Sequence, residues 1–304
     1  MNILVLGGTG FIGSNLCEQL VQYGHKVRIM DRSMKKTAFI NSHFEFVEAD
    51  FTQVEDYGQL LNGIDIIYHL ISTTVPATSN TNPVFDITSN VCSTIKLLQA
   101  AVNSKIKKII FLSSGGTVYG QTDSGLISEE HPTNPICSYG IQKLTIEKYL
   151  YYYYHEYGLD YQIVRLGNPY GKRQLGKNGQ GVIPIFIRKV QNNEEIQIWG
   201  DGSITRDYIY IDDVSNALRL LLDYRGKVKV FNLGSGKGSS LLDIVNSISI
   251  GMGVEPVISF MGARSIDVQS NILDISKISQ ELRWRPTVEL NEGIRQMLKK
   301  EVFE

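Results

Sequence analysis

Cysteine is scarce in this chain: Cys17, Cys92 and Cys137 are the three in 304 residues. They are odd in number, widely spaced and free of CxxC or Cys/His clustering, so neither a disulfide framework nor a bound metal is expected. Charge of one sign is also lacking, since 30 basic against 31 acidic residues leave a formal net charge of -1. That balance gives no basic stripe for nucleic acid and no charge block for a disordered tail. Nowhere do roughly 18 apolar residues run together, so membrane insertion is not expected. Met1 to Leu6 carries no positive n-region, which argues against a secretory leader. Internal repeats and low-complexity segments are missing too. A cytoplasmic protein is expected, and 42% hydrophobic with 20% charged content suits one large α/β domain plus a smaller lobe.

Short apolar strands alternate with amphipathic stretches through the first half. The strands are Asn2 to Leu6, Lys26 to Met30, His43 to Val47, Asp65 to Ile71, Lys108 to Leu112 and Tyr161 to Leu166; the helices include Phe11 to Gln22, Val91 to Val102 and Tyr139 to Tyr157. Repeated βαβ units imply a doubly wound parallel sheet covered on both faces, with ligands at the carboxyl ends of its strands. After Asn168 and Pro169 the pattern loosens, with apolar pieces at Val182 to Val190 and Ile196 to Trp199. The reading is a dinucleotide-binding domain over 1–168 and a mainly substrate-binding lobe over 169–304. Arg206 to Ile211 and Val228 to Leu233 read as returns to the main sheet, within 206–240.

Gly7, Gly8, Thr9, Gly10, Phe11, Ile12 and Gly13 follow the first strand and open the first helix. Gly7 and Gly10 permit a tight turn and close approach of a pyrophosphate to backbone amides, while Gly13 lets the helix pack on the sheet. Asp31 ends the second strand, 18 residues after Gly13, where a carboxylate accepts from the adenosine ribose hydroxyls. That favours NAD over NADP, although Arg32 offers a partner for a 2′-phosphate. Asp50, at the third strand's end, either meets the adenine amino group or caps the turn after it.

Tyr139 lies four residues before Lys143 on a helix, which puts phenol and ammonium on one face. To act as a base near neutral pH the phenol must drop roughly three pH units from its usual value of about 10, or about 4 kcal/mol. A lysine and an oxidised nicotinamide together supply that.

These motifs, with SSGGTVYG at Ser113, RLGNPYG at Arg165, GDGSITRDYIYIDD at Gly200 and RSID at Arg264, resemble the extended short-chain dehydrogenase/reductase family, and within it the nucleotide-sugar 4-epimerases. The resemblance covers essentially the whole chain. It implies a seven-stranded Rossmann sheet, bound NAD lined also by Phe51 and Leu70, and a nucleotide diphosphate sugar, UDP being the expected carrier. Tyr139 becomes the base for the sugar 4-OH, and Lys143 the holder of the cofactor ribose. Asn168, Val182, Gln197, Trp199, Arg206, Arg264, Asp267 and Asn271 become the substrate contacts, with Arg206 and Arg264 on phosphates. For each arginine the alternative is a surface ion pair, and for Trp199 a core aromatic. Asn271 sits at the position that implies a choice between plain and 2-acetamido sugars. The resemblance also implies a homodimer through the helices near Val91 to Val102 and Tyr139 to Tyr157.

One position departs from the family. Its catalytic hydroxyl aligns with Gly115, so Ser114 or Thr117 substitutes or Tyr139 acts directly; Ser113 is expected to satisfy backbone groups at the strand end. Gly116 and Thr117 lack the carboxylates of the family's dehydratases and decarboxylases. A reductase of 4-keto nucleotide sugars stays open, as does a non-catalytic cofactor sensor, against which the intact Tyr139 and Lys143 argue.

Overall fold

The computed structural model describes residues 1–33, 43–122, 125–174, 181–262 and 268–299. Its strands are β1 Asn2–Leu6, β2 Lys26–Asp31, β3 Phe44–Glu48, β4 Ile66–His69, β5 Lys108–Ser114, β6 Leu126–Ile127, β7 Asp160–Leu166, β8 Asn168–Tyr170, β9 Ile196–Trp199, β10 Thr205–Tyr210, β11 Val230–Leu233, β12 Gly238–Ser240, β13 Ile258–Met261 and β14 Ser270–Leu273. The helices are α1 Phe11–Gln22, α2 Gly58–Leu61, α3 Pro76–Ser79, α4 Pro83–Asp86, α5 Ser93–Asn103, α6 Ser138–Tyr157, α7 Val182–Gln191, α8 Ile211–Leu220, α9 Leu241–Met252, α10 Ser276–Leu282 and α11 Leu290–Leu298. No described helix is long and apolar enough to cross a membrane. The chain divides into two compact units, one of residues 1–120, 132–165 and 215–231, the other of 121–131, 166–214 and 232–304.

The first unit is built on a seven-stranded sheet of order β11-β7-β5-β4-β1-β2-β3. β1 pairs in parallel with β2 and β4, β2 with β3, and β4 with β5. A parallel strand covered on both faces needs apolar residues at consecutive positions, and Ile3, Leu4, Val5 and Leu6 are all fully buried. Helix α1 turns Gly13, Leu16, Cys17 and Leu20 inward as one stripe. The order reverses between β1 and β4, so the loops after Leu6 and His69 open side by side at the topological switch point, the usual ligand crevice of such sheets.

The second unit holds the sheet β12-β10-β14-β6, with β8 added against β10, and a separate pair β9 and β13. Here the structure corrects one expectation: the strand from Thr205 does not return to the main sheet but forms the middle of the second unit's own. What fixes it there is Asp207, fully buried, whose carboxylate accepts from the Ser235 amide (2.6 Å), the Ser235 hydroxyl (2.7 Å) and the amides of Gly236 and Leu273. Burial raises the Asp207 pKa while these bonds oppose the rise. Val230–Leu233, by contrast, does lie in the seven-stranded sheet.

Candidate active site

The glycine-rich loop leaves β1 and enters α1 through Gly10 N–H donating to Gly7 O (3.1 Å) and Ser14 N–H to Gly10 O (2.9 Å). A Cβ on Gly13 would lie 2.2 Å from Gly7 O, so only glycine lets the helix approach the strand end this closely. A Cβ on Gly10 would meet nothing but Gly7 O at 3.3 Å, which leaves the outer side of the loop open above the first turn of α1. An open cradle at a helix N-terminus fits a pyrophosphate. Asp31, ending β2, turns one carboxylate oxygen onto the same loop, accepting from Thr9 N–H (3.1 Å) and Thr9 Oγ1 (2.6 Å). Its other oxygen accepts from Arg32 N–H (2.8 Å), and the Arg32 side chain is exposed. Asp50 caps the turn after β3 through Thr52 N–H (2.9 Å) and Oγ1 (2.8 Å), and the Thr52 amide above all holds its carboxyl below the usual range. These donors and acceptors match the pyrophosphate and adenosine half of a dinucleotide.

Phe51 is buried with its ring 5.1 Å from that of His69, and Leu70 N–H donates to Leu6 O (3.1 Å). His69 is itself buried at the end of β4. Thr94 Oγ1 spends its proton on Asn90 O, so the bond of 2.8 Å to His69 Nε2 must be donated by the imidazole. Burial, with the Lys143 charge adding, pushes His69 down to about 3. It is therefore a neutral wall of the site.

Helix α6 presents Tyr139 and Lys143. Its first amides are capped from α3 and the residue after it: Ser138 N–H donates to Asn80 Oδ1 (2.9 Å) and Tyr139 N–H to Ser79 Oγ (3.0 Å). The helix packs tightly on the loop after β5, since a Cβ on Gly140 would meet Thr117 O at 2.7 Å. Lys143 is buried; its ammonium donates to Leu112 O (2.9 Å), 4.7 Å from the Phe111 ring centroid and 5.6 Å from that of Tyr139. Burial lowers it to about 8 against the pull of Glu147 and Asp86, so it stays mostly charged at neutral pH. The sequence argument gives this cation the task of lowering the phenol. In the structure burial pushes Tyr139 up to about 12, with the Ser72 hydroxyl opposing the rise and the Cys137 and Asp86 charges adding to it.

Ser113 also differs from expectation. Its hydroxyl donates to Glu147 Oε1 of α6, not to a backbone group, and Glu147 is held in turn by Arg165 (Nη2 to Oε2, 2.7 Å). Thr117 Oγ1 is buried and has no partner among the described residues, while Ser114 lies half-buried at the end of β5.

In the second unit, β10 and β14 pair Arg206 with Asn271. The guanidinium donates to Thr205 O (2.9 Å) and Val268 O (2.6 Å), and Asn271 is buried. Asn168, paired with Tyr208, donates through Nδ2 to Asp207 O (3.1 Å). Val182 begins α7. Gln197 and Trp199 project from the separate β9 and are exposed, which removes the core-aromatic alternative for Trp199. Arg264 and Asp267 lie outside the described residues.

Sequence reasoning missed Ser79, Asn80, Asp86 and Asn90. Each acts through a loop-to-helix contact distant in sequence, and none falls in a spaced motif.

A Rossmann sheet with an open glycine cradle, a ribose-side carboxylate and a Tyr–Lys helix defines a dinucleotide-dependent enzyme of the short-chain dehydrogenase/reductase type. The chain belongs to the NAD dependent epimerase/dehydratase family, whose profile matches residues 3–234. It is 36% identical over 299 residues to a putative UDP-glucose 4-epimerase of Methanocaldococcus jannaschii, covering 97% of both chains. A dTDP-4-dehydro-6-deoxyglucose reductase of Escherichia coli is 33% identical, covering 98% of this chain and 96% of that one. Among solved structures, the UDP-glucose 4-epimerase of Thermotoga maritima with UDP-glucose superposes with a TM-score of 0.92 at 33% identity, covering 97% of each chain.

Proposed function

We propose that the protein is an NAD-dependent 4-epimerase of a UDP-sugar, either glucose/galactose or their N-acetyl forms. One observation carries the reading: Tyr139 and Lys143 stand on α6 beside β5, while positions 116 and 117 hold Gly and Thr. A general base is present without the carboxylate that water elimination or decarboxylation needs.

Gly7, Gly10, Phe11, Ile12 and Gly13 hold the pyrophosphate, Asp31 the adenosine ribose, Asp50 the adenine edge, and Phe51 and Leu70 the apolar flank. NAD held there would supply the hydride acceptor and donor for sugar C4. Tyr139 Oη takes the 4-OH proton, breaking the sugar O–H bond and forming the phenol O–H, and gives that proton back at the end. Lys143 holds the nicotinamide ribose. Asn168, Arg206 and Arg264 take the diphosphate, Asp267 the nucleoside ribose, Trp199 the pyrimidine with Gln197 and Val182 beside it, and Asn271 reads the 2-substituent.

Incubation with UDP-glucose and with UDP-N-acetylglucosamine separately, followed by anion-exchange separation, tests this reading: a 4-epimer peak from at least one is expected. Absence of both with NAD supplied sinks it. The second reading, reduction of a 4-keto nucleotide sugar, is favoured by Gly115 and the full-length likeness to a reductase. It is recognised by stoichiometric consumption of reduced cofactor.

The same reading includes a homodimer. Val84, Phe85, Ile141, Tyr151 and Tyr154 expose apolar surface on α4 and α6, Val84 to 74%. Sedimentation in dilute solution is expected to give twice the chain mass; a monomer mass excludes the dimer.

A further inference from the structure

We propose that Asp86 is a positioning residue for Tyr139, its carboxylate locking the first turn of α6 to the loop after β4. The inference rests on the epimerase reading above and deepens it by naming what holds the base in place. Asp86 is fully buried, so it acts on the reaction through other residues. The loop it grips opens at the switch point of the sheet.

The two carboxylate oxygens serve different elements. Oδ1 accepts from Thr74 Oγ1 in the loop and from Asn90 Nδ2 (3.1 Å), while Oδ2 accepts from Ser138 Oγ (2.7 Å), on the residue that opens α6 and precedes Tyr139. Three donors offset the lost hydration of a buried carboxylate, and charge-assisted bonds are the strong ones. Neighbours reinforce each arm. On the helix side, Asn80 Oδ1 accepts from Ser138 N–H (2.9 Å) and Ser79 Oγ from Tyr139 N–H (3.0 Å). On the loop side, Asn90 Oδ1 accepts from Thr73 N–H (2.9 Å), and Ser89 Oγ lies 2.7 Å from Thr73 Oγ1. All these partners belong to the stretch 79–90, and the two sets meet at Asp86. It ends α4 just before the π-helical segment Ile87–Cys92; such segments are rare and gather at functional sites.

Lys143, one turn further along α6, is held separately through Leu112 O of β5 (2.9 Å). Loosening the helix end therefore moves the phenol while the ammonium keeps its place. A base displaced by about 1 Å from its productive position can cost about a hundredfold in rate without any loss of binding. Asp86 thus bears on the proton transfer at Tyr139 Oη and not on the grip on cofactor or sugar.

The test compares Asp86→Ala and Asp86→Asn in the full-length holoenzyme, with Ser138→Ala and Thr74→Val cutting one arm each. In Asp86→Ala, kcat for 4-epimer formation is expected to fall by about 10- to 100-fold with KM and NAD affinity at wild-type values. Asp86→Asn keeps the shape, accepts through its oxygen from the loop side and donates through its amide to the Ser138 hydroxyl, so it recovers most of the rate. Adding Ser138→Ala to Asp86→Ala lowers kcat no further, because that arm is already gone. Hydrogen exchange read by mass spectrometry follows the bridge without turnover. Peptides over 71–75 and 138–142 exchange faster together in Asp86→Ala, the first alone in Thr74→Val and the second alone in Ser138→Ala. If Asp86→Ala does not fold, Ser138→Ala carries the same split, with kcat down about tenfold and KM unmoved. A loss carried by KM, a kcat within about threefold of wild type in Asp86→Ala, or faster exchange in only one of its two peptides overturns the proposal. Joint exchange with neither UDP-sugar converted supports the bridge and sinks the epimerase reading, whereas conversion without joint exchange removes Asp86 alone.

Discussion

Tyr139→Phe lowers kcat by about 10³-fold, within the range for loss of a positioned general acid–base. The substitution deletes one oxygen and keeps the ring, so the packing of α6 is retained. The helix cap is untouched as well, because Ser79 and Asn80 engage backbone amides and Ser138 engages Asp86 through its own hydroxyl. What is lost is the atom proposed to take the sugar proton. A wild-type circular dichroism spectrum and NAD affinity, together with the collapse in 4-epimer formation, are the expected combination. A fall of tenfold or less would mean that another group removes the proton.

Glu147→Ala destabilises the fold by about 3–5 kcal/mol, the cost of stripping one partner from a buried pair. Glu147 and Arg165 side chains are 4% and 7% exposed, and the guanidinium holds the carboxylate with Nη2 at 2.7 Å and Nε at 3.2 and 3.3 Å. Ser113 bonds the same carboxylate, and Tyr119 Oη accepts from Arg165 (3.1 Å). Removing Glu147 strands a guanidinium inside the first unit. It also removes a charge that supports the ammonium of Lys143, one turn earlier. Urea unfolding measures the loss, and Glu147→Ala with Arg165→Met is expected to recover most of it, since the double variant buries no unpaired charge. A loss below about 1 kcal/mol in the single variant would mean that Arg165 finds water or another acceptor.

Much of this was legible in the sequence, for reasons that are local. β1 and α1 fall where the apolar run and the helical stripe place them, because burial on both faces and on one face write different periods. The glycine loop, Asp31 and the Tyr139–Lys143 pair are likewise set by spacing along one strand–turn–helix or one helix. The stretch read as a helix from Val91 to Val102 begins instead as a π-helical segment at Ile87, followed by α5. That segment carries Ser89 and Asn90 to the 73–74 loop, and a 3.6-residue period carries no trace of such a contact. The strand Thr205–Tyr210 has core-like residues, yet which sheet accepts it depends on Asp207 meeting Ser235 and Leu273, far along the chain. The bond from Lys143 to Leu112 O is invisible in the sequence for the same reason, because β5 meets α6 across space.

The chain leaves the first unit at Gly120, lays β6 against β14 in the second, and comes back at Pro132. It crosses again before Leu166, before Ser215 and before Asn232. Substrate preference in such a protein cannot be transplanted by joining two halves at one point. A graft of the second unit has to carry three separate segments, the shortest being 121–131. Left behind, that segment deprives the second sheet of its β6 edge and leaves a two-residue strand dangling from the first unit. If the proposed substrate contacts in the second unit set the sugar, change by point substitution is the easier route than exchange of a module.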